Sequence, residues 1–132
     1  MTQSPICTAG IFIRDGQVLL GLRNYEPKHG VTGNFWTTPG GRCDEGEDVE
    51  TTLRREVLEE IGIEAFEIYR ELGVVPGAKE GDKVHVFLCG TNEQEKLMEP
   101  EKFTEWKWFF KDEIPENFIN ENVLEMIKKN IV

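Results

Sequence analysis

Between Asp48 and Gly62 the chain carries the pattern that most limits what it can fold into. Val49, Leu53, Val57 and Ile61 recur every four residues, which at about 100° per residue puts them on one stripe of an α-helix. An apolar stripe of that kind must be covered by a larger surface. Glu47 or Asp48 starts the helix, since acidic residues in a first turn suit the helix dipole. Gly62 ends it, as a glycine in the left-handed region does.

The surrounding segments supply the covering surface. Residues 6–13 are rich in β-branched side chains and read as a strand; Asp15-Gly16 is a turn signal, and Gln17 to Arg23 resumes an extended pattern, giving a hairpin. Asn24 to Asn34 is polar, with Pro27, Gly30 and Gly33, and reads as a loop; Phe35 to Thr38 is a short strand stopped by Pro39. Ala65 to Val75, Lys83 to Cys89 and Trp106 to Phe110 read as further strands. Ile119 to Asn130 is a terminal helix with Val123, Ile127 and Ile131 on one side. Helices among hairpin-connected strands predict an α+β fold, a mixed sheet with helices on its faces. With 132 residues, one domain over 1–132 is expected.

No run approaches the roughly 18–20 apolar residues of a membrane span, and Met1 to Pro5 lacks the features of a secretion signal, so a cytoplasmic location is expected. Cys7, Cys43 and Cys89 form no Cys-x-x-Cys pair and read as reduced thiols; with His29 and His85 they show no metal-ligand spacing. The net charge of −10 argues against a nucleic-acid polymer as partner. It does not exclude a phosphorylated small molecule, provided divalent cations sit between the two sets of negative charge.

On the helix, Glu56, Glu59 and Glu60 stand at i, i+3 and i+4, within an arc of about 100°. Like charges at these spacings destabilise an isolated helix by roughly 0.2–0.5 kcal/mol per pair. Local conflict of this kind tends to mark a functional site. Hard oxygen ligands suit Mg²⁺ or Mn²⁺. By itself the cluster also fits a solvated acidic face with Arg54 and Arg55 as partners.

The flanking residues decide between the two. Gly41 to Ile63 reads Gly-x₅-Glu-x₇-Arg-Glu-U-x-Glu-Glu-x-Gly-U, with Val57 and Ile63 as the aliphatic U positions. Nine constrained positions make a chance match rarer than about one in a million at ordinary residue frequencies. The segment resembles the box of the Nudix hydrolases at every specified position. Leu19-Leu20-x-x-Arg23, Trp36-x-x-Pro39-Gly40-Gly41 and Glu99 to Trp108 are similar to the segments around the box in the MutT-like nucleoside triphosphate pyrophosphohydrolases.

The resemblance implies an α/β/α sandwich around a mixed sheet, with the box as loop–helix–loop. It implies that Glu56, Glu59 and Glu60 hold Mg²⁺, or Mn²⁺ in its place, with a backbone carbonyl from Gly40. Glu47 and Arg55 brace the loop and the glutamates, and Gly41 and Gly62 shape the motif. Water would attack phosphorus, with Glu56 or Glu59 as the base, or an acid on the downstream loop: Glu101 five residues before Trp106, with Glu105 as its rival. Arg23 is expected at the phosphates. Among Tyr25, Phe35, Trp36, Trp106 and Trp108, Phe35 is the best placed to stack on a base, and Asn117 occupies a position where relatives read the base with an amide. His85, between Val84 and Val86, reads as a sheet-face residue.

The leading expectation is conversion of a nucleoside triphosphate, standard or oxidised, to monophosphate and pyrophosphate, by a monomer or homodimer. The short chain, which starts directly at its first strand, favours it. Hydrolysis of dinucleoside polyphosphates, ADP-ribose or nucleotide sugars is the second reading. A catalytically silent ligand-binding domain is the third, and it is disfavoured because no box glutamate is missing.

Overall fold

The structure is a computed structural model and describes residues 4–26 and 31–131. Pro27, His29 and Gly30 of the expected loop lie outside the described residues.

Strand β1 (Ile6–Arg14) turns at Asp15-Gly16 into β2 (Gln17–Tyr25). Both turn residues have positive φ, 51° and 77°, as a two-residue hairpin turn that follows the strand twist requires. The two strands pair only next to the turn, Ile13 with Val18 and Arg14 with Gln17. They then part. Strand β3 (Gly33–Thr37) pairs antiparallel with β2 from Gly21 to Tyr25, and the chain leaving β3 crosses to β1. There Gly10 N donates to Pro39 O at 2.8 Å, Thr8 N to Gly41 O at 2.8 Å and Cys43 N to Ile6 O at 2.9 Å. A loop thus satisfies backbone groups on a strand edge, and the same loop leads into helix α1 (Val49–Ile61).

After α1 come β4 (Glu67–Pro76), β5 (Lys83–Gly90), β6 (Phe103–Phe110), a 3₁₀ turn (Lys111–Glu113) and α2 (Glu121–Asn130). The strand order is β3-β2-β1-β5-β4, with β6 pairing β2. β1 and β5 are parallel and the other pairs antiparallel, so the sheet is mixed.

Neighbouring residues of a strand point to opposite faces, and both faces here are apolar. Phe12, Leu19 and Phe87 pack with Leu53, Val57 and Ile61 of α1. Ile11, Leu20 and Val86 pack with Val123 and Ile127 of α2. One helix therefore covers each face, which is the expected sandwich. Each fully buried side chain of this size contributes about 1.5–3 kcal/mol. Of the expected aromatic surfaces, Trp36 is core, edge-on to Phe109 at 4.8 Å between ring centroids, and Trp106 and Trp108 pack against the α1 side.

Several boundaries differ from the sequence reading. Helix α1 begins at Val49 because Asp48 stays extended and its carboxylate accepts the Thr51 amide at 2.8 Å. Helix α2 begins at Glu121, not Ile119, because Asn120 caps it by accepting the amides of Asn122 and Val123. Strand β6 begins three residues early, at Phe103, where a register shift beside Leu22 and Arg23 prolongs its pairing with β2. Strand β4 runs from Glu67 rather than Ala65, whose amide instead donates to the Glu93 carboxylate. Among the described residues, no helix is long and apolar enough to cross a membrane.

Candidate active site

The loop from β3 to α1 makes one wall of the site. Gly40, at φ 138°, lies against the backbone of Thr8 and Ala9, where a Cβ has no room. At Gly41 a Cβ would lie 2.5–2.8 Å from the Glu56 carboxyl group. The two glycines let the loop press onto β1 on one side and accept a helix carboxylate on the other.

The three box glutamates have different surroundings. Glu60 is 3% exposed, and its carboxylate accepts the Gly40 amide at 2.9 Å. Burial pushes this carboxyl well above its ordinary range, and the charges of Glu56 and Glu99 add to the effect while the Gly40 amide and Arg23 oppose it. The Glu56 side chain is 19% exposed and is also raised, first by burial and then by Glu59 and Glu99, against the pull of Arg55. The Glu59 side chain is 48% exposed.

Arg55 is the hub. Its Nε and Nη2 donate to the two carboxylate oxygens of Glu47, both at 2.9 Å, and its Nη1 donates to Glu56 at 3.0 Å and reaches Glu59 at 3.4 Å. Nη2 also donates to Arg42 O at 3.3 Å. Glu47 in turn accepts Thr52 Oγ1 at 2.6 Å and the Asp44 amide at 3.0 Å. Arg55, followed by Thr52 and the Asp44 amide, holds the Glu47 carboxyl down at about 2. A planar five-donor guanidinium suits this junction of loop and helix.

Glu56 and Glu60 open onto a cleft of about 600 Å³. Thr8, Ala9 and Val84 line it from β1 and β5, Arg23 and Tyr25 from β2, and Phe118 to Asn120 from the approach to α2. Glu99 and Lys102 reach it from the long connection before β6, with Lys102 Nζ donating to Glu99 at 3.2 Å. Arg23 lies 5.0 Å over the Tyr25 ring and 5.7 Å over Phe103, and its Nε is buried with no hydrogen-bond partner among the described residues. Arg42 also lines the cleft, forked onto Asp82 at 2.9 and 2.6 Å.

Of the sequence-predicted residues, Glu59, Phe35, Asn117, Glu101 and Glu105 are not among the described residues that line the cleft, nor are Glu47, Arg55 and Gly62 of the box. Phe35 pairs with Arg23 in the sheet and packs edge-on to Tyr25 at 6.1 Å. Asn117 is exposed, and its Nδ2 donates to Asn34 O at 3.1 Å. Asn120, which does line the cleft, caps α2 with Oδ1 and donates Nδ2 to Pro76 O at 3.0 Å. Glu101 and Glu105 are exposed, and Glu99, two residues before Glu101, is the downstream acid in the cleft. The signal for Glu99 is Lys102 three residues on, the spacing of a turn that folds the acid back on itself. His85 sits on β5, its Nδ1 2.6 Å from Glu71. Cys7, Cys43 and Cys89 are free, and burial pushes Cys7 up to about 11 and Cys89 up to about 12.

Among the described residues, no group of three or more His, Cys, Asp or Glu side chains converges closely enough to form a finished metal cage. The donor chemistry nevertheless fits a hard dication. The Glu99 charge adds to burial in raising both Glu56 and Glu60, and a carboxylate buried as deeply as Glu60 requires a proton or a cation.

A sequence model of the NUDIX domain matches residues 5–128. An oxidized purine nucleoside triphosphate hydrolase from Danio rerio is 31% identical over 119 residues, covering 87% of this chain and 72% of the relative. The NAD-capped RNA hydrolase NudC of Mannheimia succiniciproducens is 36% identical over 115 residues, but the chain spans only 42% of that protein's length. Among solved structures, a MutT NUDIX hydrolase from Burkholderia pseudomallei superposes with a TM-score of 0.75 at 25% identity, covering 96% of this chain and 97% of the other.

Proposed function

The chain belongs to the Nudix hydrolase family, and from that premise we propose that it hydrolyses a nucleoside triphosphate, standard or oxidised, to nucleoside monophosphate and pyrophosphate with Mg²⁺ as cofactor. The observation that carries the reading is the meeting of Glu56, Glu60 and Glu99 with Arg23 and Lys102 in one cleft. The acids suit a cation and the bases suit phosphate oxygens.

In this reading Glu56, Glu59 and Glu60 hold the metal, with Mn²⁺ able to substitute and the Gly40 carbonyl as a further donor. Held there, the cation supplies charge neutralisation for the phosphates and acidifies water. Glu99 accepts the proton of the attacking water as its oxygen bonds to phosphorus. The bridging P–O bond breaks and pyrophosphate leaves with the electron pair. Arg55 keeps Glu56 and Glu59 in one set of rotamers. Arg23 and Lys102, which both line the cleft, draw in and orient the phosphates.

The oxidized purine triphosphate hydrolases of Danio rerio and Mus musculus support the substrate class, since each matches 87% of this chain. The 36% identity to NudC supports cleavage of a dinucleotide as a second reading. A competition panel of dNTPs, oxidised purine dNTPs, diadenosine tetraphosphate, ADP-ribose and NAD separates the two. Pyrophosphate and monophosphate from the triphosphates, with little cleavage of the rest, is the expected result. The reverse pattern overturns the triphosphate reading.

A further inference from the structure

The twelve residues 91–102 connect β5 to β6 with no helix or strand among them. Connections of this length are uncommon in compact proteins. This one is tied down. Thr91 Oγ1 donates to Ala65 O at 2.9 Å, and the Glu93 carboxylate accepts the amides of Glu64 and Ala65 at 3.0 and 2.9 Å. Arg14 Nη2 donates to Thr91 O at 2.6 Å and Glu93 O at 2.8 Å, and its guanidinium lies 4.7 Å over the Trp108 ring. The indole of Trp108 donates to Glu95 at 3.0 Å.

The segment then runs along the end of α1. Lys96 N donates to Ile61 O at 2.8 Å and Met98 N to Glu60 O at 3.4 Å, so carbonyls that the helix leaves open are met by the strap. Asn92, Gln94, Lys96, Leu97 and Met98 are exposed, whereas Glu93, Glu95 and Glu99 are half-buried. Two of the three inward acids are committed to anchoring. The third reaches the cleft.

We propose that residues 91–98 are an anchored strap that sets the register of Glu99 against Glu60, with Arg14 and Glu95 as its positioning residues. The proposal rests on the reading of Glu99 as proton acceptor. An extended chain advances about 3.3 Å per residue, so a slip of one position carries Glu99 out of hydrogen-bonding reach of its water. A misplacement of about 1 Å is enough to slow a reaction by about a hundredfold. The strap's five exposed side chains bury little apolar surface, which leaves its polar anchors to hold the register.

Glu95→Ala and Glu95→Gln test this, because Gln keeps an acceptor for the Trp108 indole. Expected for Glu95→Ala are a kcat lower by about ten- to a hundredfold, a KM within about twofold, and faster amide exchange at Lys96 and Met98 in metal-free protein. Glu95→Gln restores the kcat and the slow exchange. In a Glu99→Gln background Glu95→Ala causes no further loss of kcat. If Glu95→Ala does not fold, Trp108→Phe removes the donor alone and takes its place. A slow Glu99→Gln beside a Glu95→Ala of normal kcat overturns the strap and leaves the Glu99 reading standing. A Glu99→Gln of normal kcat overturns both. Equal defects in Glu95→Ala and Glu95→Gln, or unchanged exchange at Lys96 and Met98, overturn the strap as well.

Discussion

The Gly40 amide and the Glu60 carboxylate, 2.9 Å apart, join the loop from β3 to the last turn of α1. This contact draws Glu60 inward, while Glu59, one residue away on the helix, stays half exposed. Without a cation a single backbone amide is a weak counterweight to a carboxylate so deeply buried.

Glu60→Gln is therefore expected to stabilise the metal-free protein while removing its response to metal. In EDTA its Tm should exceed that of wild type by a few degrees, since about 1 kcal/mol is worth about 3–4 °C in a chain of this size. Added Mn²⁺ should raise the Tm of wild type and leave that of the variant unchanged. Thermal melts with and without Mn²⁺ check this; a variant with the wild-type metal response would show that Glu60 is not a ligand.

Arg55 joins Glu47, Glu56 and Glu59 through one planar group. Lysine cannot fork in that way, so Arg55→Lys should lower kcat by about 10- to 100-fold, close to the loss in Arg55→Ala. Steady-state kinetics on the two variants, with circular dichroism to confirm folding, decide the point. Full activity in Arg55→Lys would mean that charge alone is what the site requires.

The Arg55–Glu47 pair also carries a pH dependence. The Glu47 carboxyl is held at about 2 against an ordinary value of 4.5, so the fold favours its ionised form. Its contribution to stability is present in full above 4.5 and is lost as pH falls from about 4.5 towards about 2. Unfolding of wild type and Glu47→Gln should therefore differ most at neutral pH and converge across that window. A gap that stays constant from pH 7 to pH 2 would place the stabilisation elsewhere.

Glu99 and Glu101 differ in where they lie, not in chemistry. Glu99→Gln should lower kcat by about 10²–10⁴-fold with little change in KM, whereas Glu101→Gln should behave as wild type. Equal activity in the two variants would return the base to Glu56 or Glu59.

The pair shows where sequence reading works and where it stops. Helix α1 was legible because its stripe and its Gly62 stop are local signals, while its start, left open between Glu47 and Asp48, is fixed by the Asp48 cap. The layers were legible too, since helices among hairpin-connected strands predict a mixed sheet with helices on its faces. What was not legible depends on long-range contacts. The Glu99–Lys102 spacing signals a turn, but the segment before it is held on the end of α1 by the amides of Lys96 and Met98 on Ile61 O and Glu60 O, contacts that are not local in sequence. Asn117 looked free to read a base until the fold placed its amide on Asn34 O, 83 residues away. The early start of β6 came from its pairing with β2, not from its own composition.

The central claim is that the acid cluster holds a divalent cation required for cleavage of a phosphoanhydride. The most direct measurement is the initial rate of pyrophosphate release from a nucleoside triphosphate as Mg²⁺ is titrated into EDTA-stripped protein, with Glu59→Gln beside wild type. The account predicts no release without metal, a saturable rise in wild type, and a rate lower by orders of magnitude in the variant. Release that survives exhaustive EDTA treatment, or a Glu59→Gln variant that matches wild type, would contradict it.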